Sequence, residues 1–267
     1  MHANPIESLE NRRYAAAQAP YVNGNGTLVV QGTSRDETIT IDRDAAGRVT
    51  AVVTNGRKVT GAARFKLSQV KRLSIDAADG DDQITVDATG LRGGAVVHGG
   101  DGDDAIFAVG SGMQLFGDAG DDRVTGEESL GAASPSTLVG GEGRDRLTAG
   151  AGAFKLDGGA GNDILFHAGW APNYETAPNT TATLLVESVY NAFRNNEGKA
   201  TLAAGNGNDL IYAASSDSVS GGAGRDQLLF DLNTPGSRKT RYEYDTKQKL
   251  VGRMKAASIE VTQIAIR

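Results

Sequence analysis

The sequence predicts an all-β fold: a right-handed parallel β-roll or β-helix solenoid with strand-rich caps at its N- and C-terminal ends. Three observations carry that prediction. A glycine-rich hexapeptide ending in Asp recurs seven times, at 77–82, 99–104, 117–122, 140–145, 158–163, 204–209 and 221–226. Two residues after each terminal Asp stands an aliphatic residue: Ile84, Ile106, Val124, Leu147, Leu165, Ile211 and Leu228. Across the first five copies the terminal Asp recurs at intervals of 22, 18, 23 and 18 residues, the period of a unit that buries its face only against its neighbours.

Composition narrows the reading further. The 36 glycines in 267 residues are about twice the usual share, and the excess sits in the repeated turns rather than in a linker. With no Cys, disulfides and thiolate metal sites are excluded. The net charge of −6 conceals an asymmetry: residues 76–163 hold 17 acidic against 5 basic side chains, a local −12, so the remainder carries +6. Such crowding is self-repulsive unless counter-ions sit among the carboxylates, which points to bound cations and away from nucleic acid. No stretch approaches the roughly 20 apolar residues of a membrane span.

Taken in order, residues 1–25 read as a flexible leader with no apolar signal-peptide core. Residues 26–76 read as N-terminal capping strands and hairpins: Leu28–Val30, Thr38–Ile41, Val49–Val53, Phe65–Leu67 and Leu73–Ile75, with turns at 44–47 and Asn55-Gly56. Within them, residues 32–39 are a degenerate copy of the repeat, with Arg35 in place of a glycine and Glu37 in place of the terminal Asp. That copy is expected to bind nothing. Residues 77–230 are the roll proper, two short strands per coil, in which Ile84 and Val86, Met113 and Leu115, and Phe154 and Leu156 alternate inward. The 46 residues from Asp163 to Asp209, long enough for two coils, carry no hexapeptide and contain an insertion at about 167–200. The run 182–193 inside it reads as a strand. Residues 231–267 read as C-terminal capping strands that cover the exposed solenoid end.

A hard cation such as Ca²⁺ takes about six to eight oxygen ligands from carboxylates and backbone carbonyls. Glycines admit the backbone angles that turn carbonyls inward, here around Gly80, Gly100, Gly102, Gly120, Gly141, Gly143, Gly159, Gly161, Gly207, Gly222 and Gly224, and the terminal Asp adds a carboxylate. No single loop supplies enough ligands, so ion binding and coil stacking should be coupled. The competing reading is that the loops are metal-free Asx-type turns.

The pattern G-G-x-G-x-D-x-U-x, matched throughout by 99–107, 140–148 and 158–166, resembles the RTX (hemolysin-type) calcium-binding repeat. The resemblance implies a parallel β-roll in which Asp82, Asp104, Asp122, Asp145, Asp163, Asp209 and Asp226 ligate Ca²⁺ together with loop carbonyls. The chain departs from that family in spacing, because its opposite turns lack the Asp. One row of roughly five ions is therefore expected rather than a row on each side. Arg144 and Arg225 stand at the fifth loop position and are expected to weaken neighbouring sites. Near the N-terminus, Ile6–Tyr14 is similar to the short LEPR-XLL-type motif of large extracellular bacterial proteins, without its terminal Leu pair.

The expected role is that of a secreted, calcium-stabilised scaffold, structural, adhesive or matrix-forming, at an extracellular or cell-surface location where calcium is plentiful. Cell-surface components or glycans are the partners this suggests. No HExxH or GxSxG motif occurs, and the histidines His2, His98 and His167 show no ligand spacing, so no enzyme is expected. A second reading is a carbohydrate-binding or carbohydrate-cleaving β-helix, with Trp170, Asn173 and Tyr174 of the insertion as a sugar platform.

Overall fold

The computed structural model describes residues 18–128, 134–150, 152–167, 200–214, 217–231 and 240–245. In chain order the strands are β1 (Tyr21–Val22), β2 (Thr27–Ser34), β3 (Glu37–Arg43), β4 (Val49–Asn55), β5 (Lys58–Phe65), β6 (Arg72–Asp79), β7 (Gln83–Asp87), β8 (Ala95–Asp101), β9 (Ala105–Gly110) and β10 (Gln114–Ala119). They continue as β11 (Arg123–Glu128), β12 (Ser136–Glu142), β13 (Arg146–Ala149), β14 (Phe154–Ala160), β15 (Ile164–His167), β16 (Thr201–Ala203), β17 (Leu210–Ala214), β18 (Ser218–Ser220), β19 (Arg225–Asp231) and β20 (Thr240–Asp245). From β6 to β19, even-numbered strands join one sheet and odd-numbered strands the other, each pairing in parallel with its counterpart one coil away. Two parallel sheets face each other across one core, as the repeat predicted.

The aliphatic residue of each repeat forms a continuous inner ladder. In one sheet Ile39, Ile84, Ile106, Val124, Leu147, Leu165 and Ile211 stand in register. Val30, Ile75, Val97, Leu115, Leu138, Leu156 and Leu202 face them from the other. All are fully buried, and each rung gains about 1.5–3 kcal/mol from removing its side chain from water. Volume is matched across the core: a Cβ on Gly126 would stand 3.1 Å from the ring of Phe154, so the missing side chain makes room for the aromatic.

The ends differ from the middle. β3, β4 and β5 form antiparallel hairpins against the first coil, and β1 pairs antiparallel with β2. The expected strand at Phe65–Leu67 is instead the last residue of β5 followed by a 3₁₀ turn over Leu67–Gln69. There the Lys66 and Val70 N–H groups bond to the Gln69 side chain and the Leu67 carbonyl rather than to a neighbouring strand. At the other end β20 closes β19 antiparallel, and 246–267, with the rest of the expected cap, lie outside the described residues. The leader segment 1–17 also lies outside them.

The interval from Asp163 to Asp209 advances the roll by one coil, not by the two its length suggests. β14 pairs directly with β16 and β15 with β17. The expected strand at 182–193 and the candidate platform of Trp170, Asn173 and Tyr174 lie outside the described residues. Among the described residues no helix is long and apolar enough to cross a membrane.

Candidate metal centre: the stacked aspartate loops

The seven hexapeptides stack along one side of the roll, joined by two side-chain ladders of opposite polarity. In the inner ladder, the backbone N–H of each terminal Asp donates to the carboxylate of the terminal Asp in the next coil. Asp82 donates to Asp104 at 2.8 Å, Asp104 to Asp122 at 2.8 Å and Asp122 to Asp145 at 2.9 Å. Asp145, Asp163 and Asp209 continue it to Asp163, Asp209 and Asp226 at 2.9, 2.8 and 3.2 Å. In the outer ladder the fifth loop residue donates the other way: Asp81 to Asp36, Asp103 to Asp81, Asp121 to Asp103 and Arg144 to Asp121.

The inner carboxylates are almost wholly buried, Asp104 at 2 % exposure and Asp122 and Asp145 at 1 %. One oxygen of each accepts the ladder bond. The other, Oδ2, is buried with no hydrogen-bond partner in Asp82, Asp104, Asp122, Asp145, Asp163 and Asp209. A buried charge without a partner is costly. Burial accordingly raises these carboxyls far above their ordinary 3.8, partly offset by the ladder N–H, while neighbouring carboxylates push them further. Asp82 is pushed up to about 8, Asp104 to about 6, and Asp122, Asp145 and Asp209 to about 7. Asp163 and Asp226 move the same way, again chiefly by burial. Each oxygen calls for a positive partner.

The first glycine of the hexapeptide lets that oxygen converge with a second one. A Cβ built on Gly99 would stand 2.2 Å from Asp104 Oδ2 and 2.7 Å from the carbonyl oxygen of Gly117 in the next coil. The same pair of oxygens, carboxylate and next-coil carbonyl, brackets Gly117, Gly140 and Gly158. Two acceptor oxygens that share one small space repel each other unless a cation or proton lies between them. At the fourth loop position glycine is required twice over, by a φ of 135° at Gly102 and by the Gly80 carbonyl 2.3 Å from where its Cβ would lie. Among the described residues no three His, Cys, Asp or Glu side chains converge on one point. The donor set is therefore carboxylate plus carbonyl oxygen, which suits a hard cation such as Ca²⁺.

Two positions are built differently from the rest of the repeat. Arg144 does not reach the inner ladder; its guanidinium lies outside, donating to Asp121 Oδ2 from Nη2 at 2.7 Å and from Nε at 3.1 Å. Its effect is to end the outer acidic ladder, not to crowd the inner oxygens. The degenerate copy is self-contained. Glu37 donates its N–H to Asp82 at 2.6 Å, as a terminal Asp would, but its carboxylate turns back to accept the N–H and hydroxyl of Thr33. Glu37 therefore begins the ladder with no orphaned oxygen.

Three further polar arrangements were not legible in the repeat. His98 lies on the outer face, stacked on Phe116 at 4.5 Å with Nδ1 2.8 Å from Asp118, so it is a satisfied surface histidine. His167, fully buried, holds Asp217 Oδ2 at 2.9 Å while Asp217 Oδ1 accepts the N–H of Ala200 at 3.0 Å. Asp217 thus ties the residues on either side of the 168–199 insertion. On the turn opposite the aspartate loops, Glu128 accepts the N–H groups of Ser136 and Ala153, each at 3.1 Å. No spacing in the sequence marks Asp217 or Glu128; both work through residues of neighbouring coils.

Comparison with known families agrees with this geometry. A family model for the RTX calcium-binding nonapeptide repeat matches four copies, over residues 114–129, 131–165 and 195–228. No curated protein and no solved structure is similar to the chain as a whole. The loops at 77–82 and 99–104 precede the matched range yet join the same ladders. With parallel coils, buried aspartates and glycine turns all following the repeat, the matched residues between 114 and 228 are RTX calcium-binding nonapeptide repeats set in a parallel β-roll.

Proposed function

We propose that the chain is an exported, non-catalytic scaffold whose roll is consolidated by Ca²⁺ between stacked loops, for structural, adhesive or matrix use at a cell surface. The observation that carries the reading is the run of buried, unpartnered Oδ2 atoms at Asp104, Asp122, Asp145 and Asp163, each beside a carbonyl oxygen of the next coil. Bound Ca²⁺ supplies the positive charge that these oxygens lack. The chain does the rest: the inner ladder fixes each carboxylate's orientation, the glycines keep the spaces open, and the aliphatic ladder holds neighbouring coils in register. Because carboxylate and carbonyl come from adjacent coils, an ion bound there favours the stacked state and stabilises folding. Carbonyl-rich modular sites are of the weak class filled at about 10⁻⁴–10⁻³ M calcium, which supports an extracellular location.

The test is thermal and urea unfolding of the full chain in millimolar calcium and in chelator. Calcium should raise the midpoint, and magnesium should do so far less. Equal midpoints in calcium and chelator would refute the proposal.

A further inference from the structure

We infer that the first residue of each hexapeptide decides which loops take an ion: the loops of Asp104, Asp122, Asp145 and Asp163 each hold one, and those of Asp82 and Asp209 hold none. This rests on the calcium reading above. At Gly99 and Gly117 the point a Cβ would occupy lies 2.2 Å from the loop's own Oδ2 and 2.7 Å from the next coil's carbonyl oxygen. At Gly140 the distances are 2.2 and 2.5 Å, and at Gly158 2.6 and 2.3 Å. The two oxygens converge on that point because these residues have no side chain.

The seventh loop also begins with glycine, but the three atoms nearest the Cβ point of Gly221 all belong to Asp226 and none is a next-coil carbonyl. In the Asp82 and Asp209 loops a side chain is there. Ala77 follows Asp76, which pairs with His98, so Ala77 stands in register with Gly99. Ala204 follows Ala203, which pairs with Asp157 and Ser220, so it stands in register with Gly158 and Gly221. Both alanines are fully buried. Their methyl groups occupy the point on which carboxylate and carbonyl converge in the glycine loops, so in a close-packed interior the two oxygens cannot meet there to ligate one ion. Asp82 and Asp209 still accept the N–H groups of Glu37 and Asp163, so they remain rungs of the hydrogen-bond ladder. One methyl converts an ion-holding rung into a purely structural one.

The experiment is calcium titration calorimetry with native mass spectrometry on the full chain and its variants. The wild-type chain should bind one ion at each of the four loops whose first glycine is flanked by both its own carboxylate and a next-coil carbonyl. Asp122→Asn, which keeps the ladder acceptor, should lose one ion, as should Gly117→Ala. Asp82→Asn should lose none, and Ala77→Gly and Ala204→Gly should each gain one. An Asp82→Asn chain that loses an ion, or an Ala77→Gly chain that gains none, would overturn the inference while leaving the calcium reading intact. A wild-type chain that binds no calcium would instead refute the calcium reading itself.

Discussion

Asp122 separates the two jobs of a terminal aspartate, because substitution can remove one without the other. Its Oδ1 accepts the Asp104 N–H at 2.8 Å, and its Oδ2 is buried without a partner. Asp122→Ala removes both oxygens and leaves the Asp104 N–H buried and unpaired, a cost of about 1–3 kcal/mol with or without calcium. At about 2–4 °C per kcal/mol for a chain of this size, that is a fall of about 2–12 °C in Tm. Asp122→Asn keeps the acceptor and replaces Oδ2 with an NH₂ group beside the Gly140 carbonyl, so in chelator it should match or exceed the wild type. In calcium it should fall behind, because one binding site saturated at 100 times its Kd contributes about 2.7 kcal/mol. Differential scanning calorimetry of the three chains, each with calcium and with chelator, gives the comparison. If the Asn chain gains as much from calcium as the wild type, the carboxylate is not a ligand. If Ala and Asn chains melt together in chelator, the ladder bond contributes nothing.

Acidity should act oppositely on the two states. In the metal-free chain burial raises Asp82, Asp104, Asp122, Asp145 and Asp209 to about 6 to 8 folded against an ordinary 3.8, so their contribution is fully present below pH ~4 and is lost as pH rises through 6 to 8. Urea unfolding in chelator should therefore show stability falling from about pH 5 to about pH 8.5, while calcium affinity, which requires the ionised carboxylate, rises over the same window. Metal-free stability that climbs across it would contradict the burial argument. Glu37→Ala should leave Thr33 N–H unpaired, costing about 1–3 kcal/mol, with calcium stoichiometry by calorimetry unchanged. Asp217→Ala should cost about 1–3 kcal/mol for each of the two donors it strands, at Ala200 and His167, and protease cleavage between them should accelerate. By contrast Asp118→Ala removes only a half-exposed partner of His98 and should shift Tm by less than the error of the calcium effect, about 1 kcal/mol or under.

The parts of the fold visible in the sequence are those written as local periodicity. Asp followed two residues later by an aliphatic gives both the loop and the inward rung, so Ile84 to Ile211 and their ladder follow from spacing alone. What spacing cannot express is which atom of a side chain does what. That Oδ1 is spent on a neighbouring coil while Oδ2 is left over depends on the 4.8 Å stacking of strands about one another, a long-range property. Arg144 illustrates the same limit: its position in the motif places it beside the ion row, but its long side chain swings outward to the nearest exposed carboxylate at Asp121. Length misleads at Asp163–Asp209 for a related reason, since an insertion between consecutive rungs changes the sequence interval without adding a coil.

The two ladders also explain why the loops can stand so close in spite of their charge. Every inner rung runs from a backbone N–H to the carboxylate of the following coil, and every outer rung from N–H to the side chain of the preceding one. A coil is thus fastened in both directions by bonds that need no metal, and the backbone adds Gly102 N–H to Ala119 O and Arg123 N–H to Asp104 O between them. These bonds and a bound ion act on the same stacked state. What the metal-free stack lacks is compensation for the second carboxylate oxygen of each inner rung, the one atom the bonds leave over. The sequence answers that deficit differently along the roll: Glu37 folds onto Thr33 at the N-terminal coil, and at Gly99, Gly117, Gly140 and Gly158 a next-coil carbonyl oxygen joins the spare carboxylate oxygen as a second ligand for a cation. Calcium dependence is in this sense confined to the middle of the roll, and it is set by whether the first residue of a loop carries a methyl group.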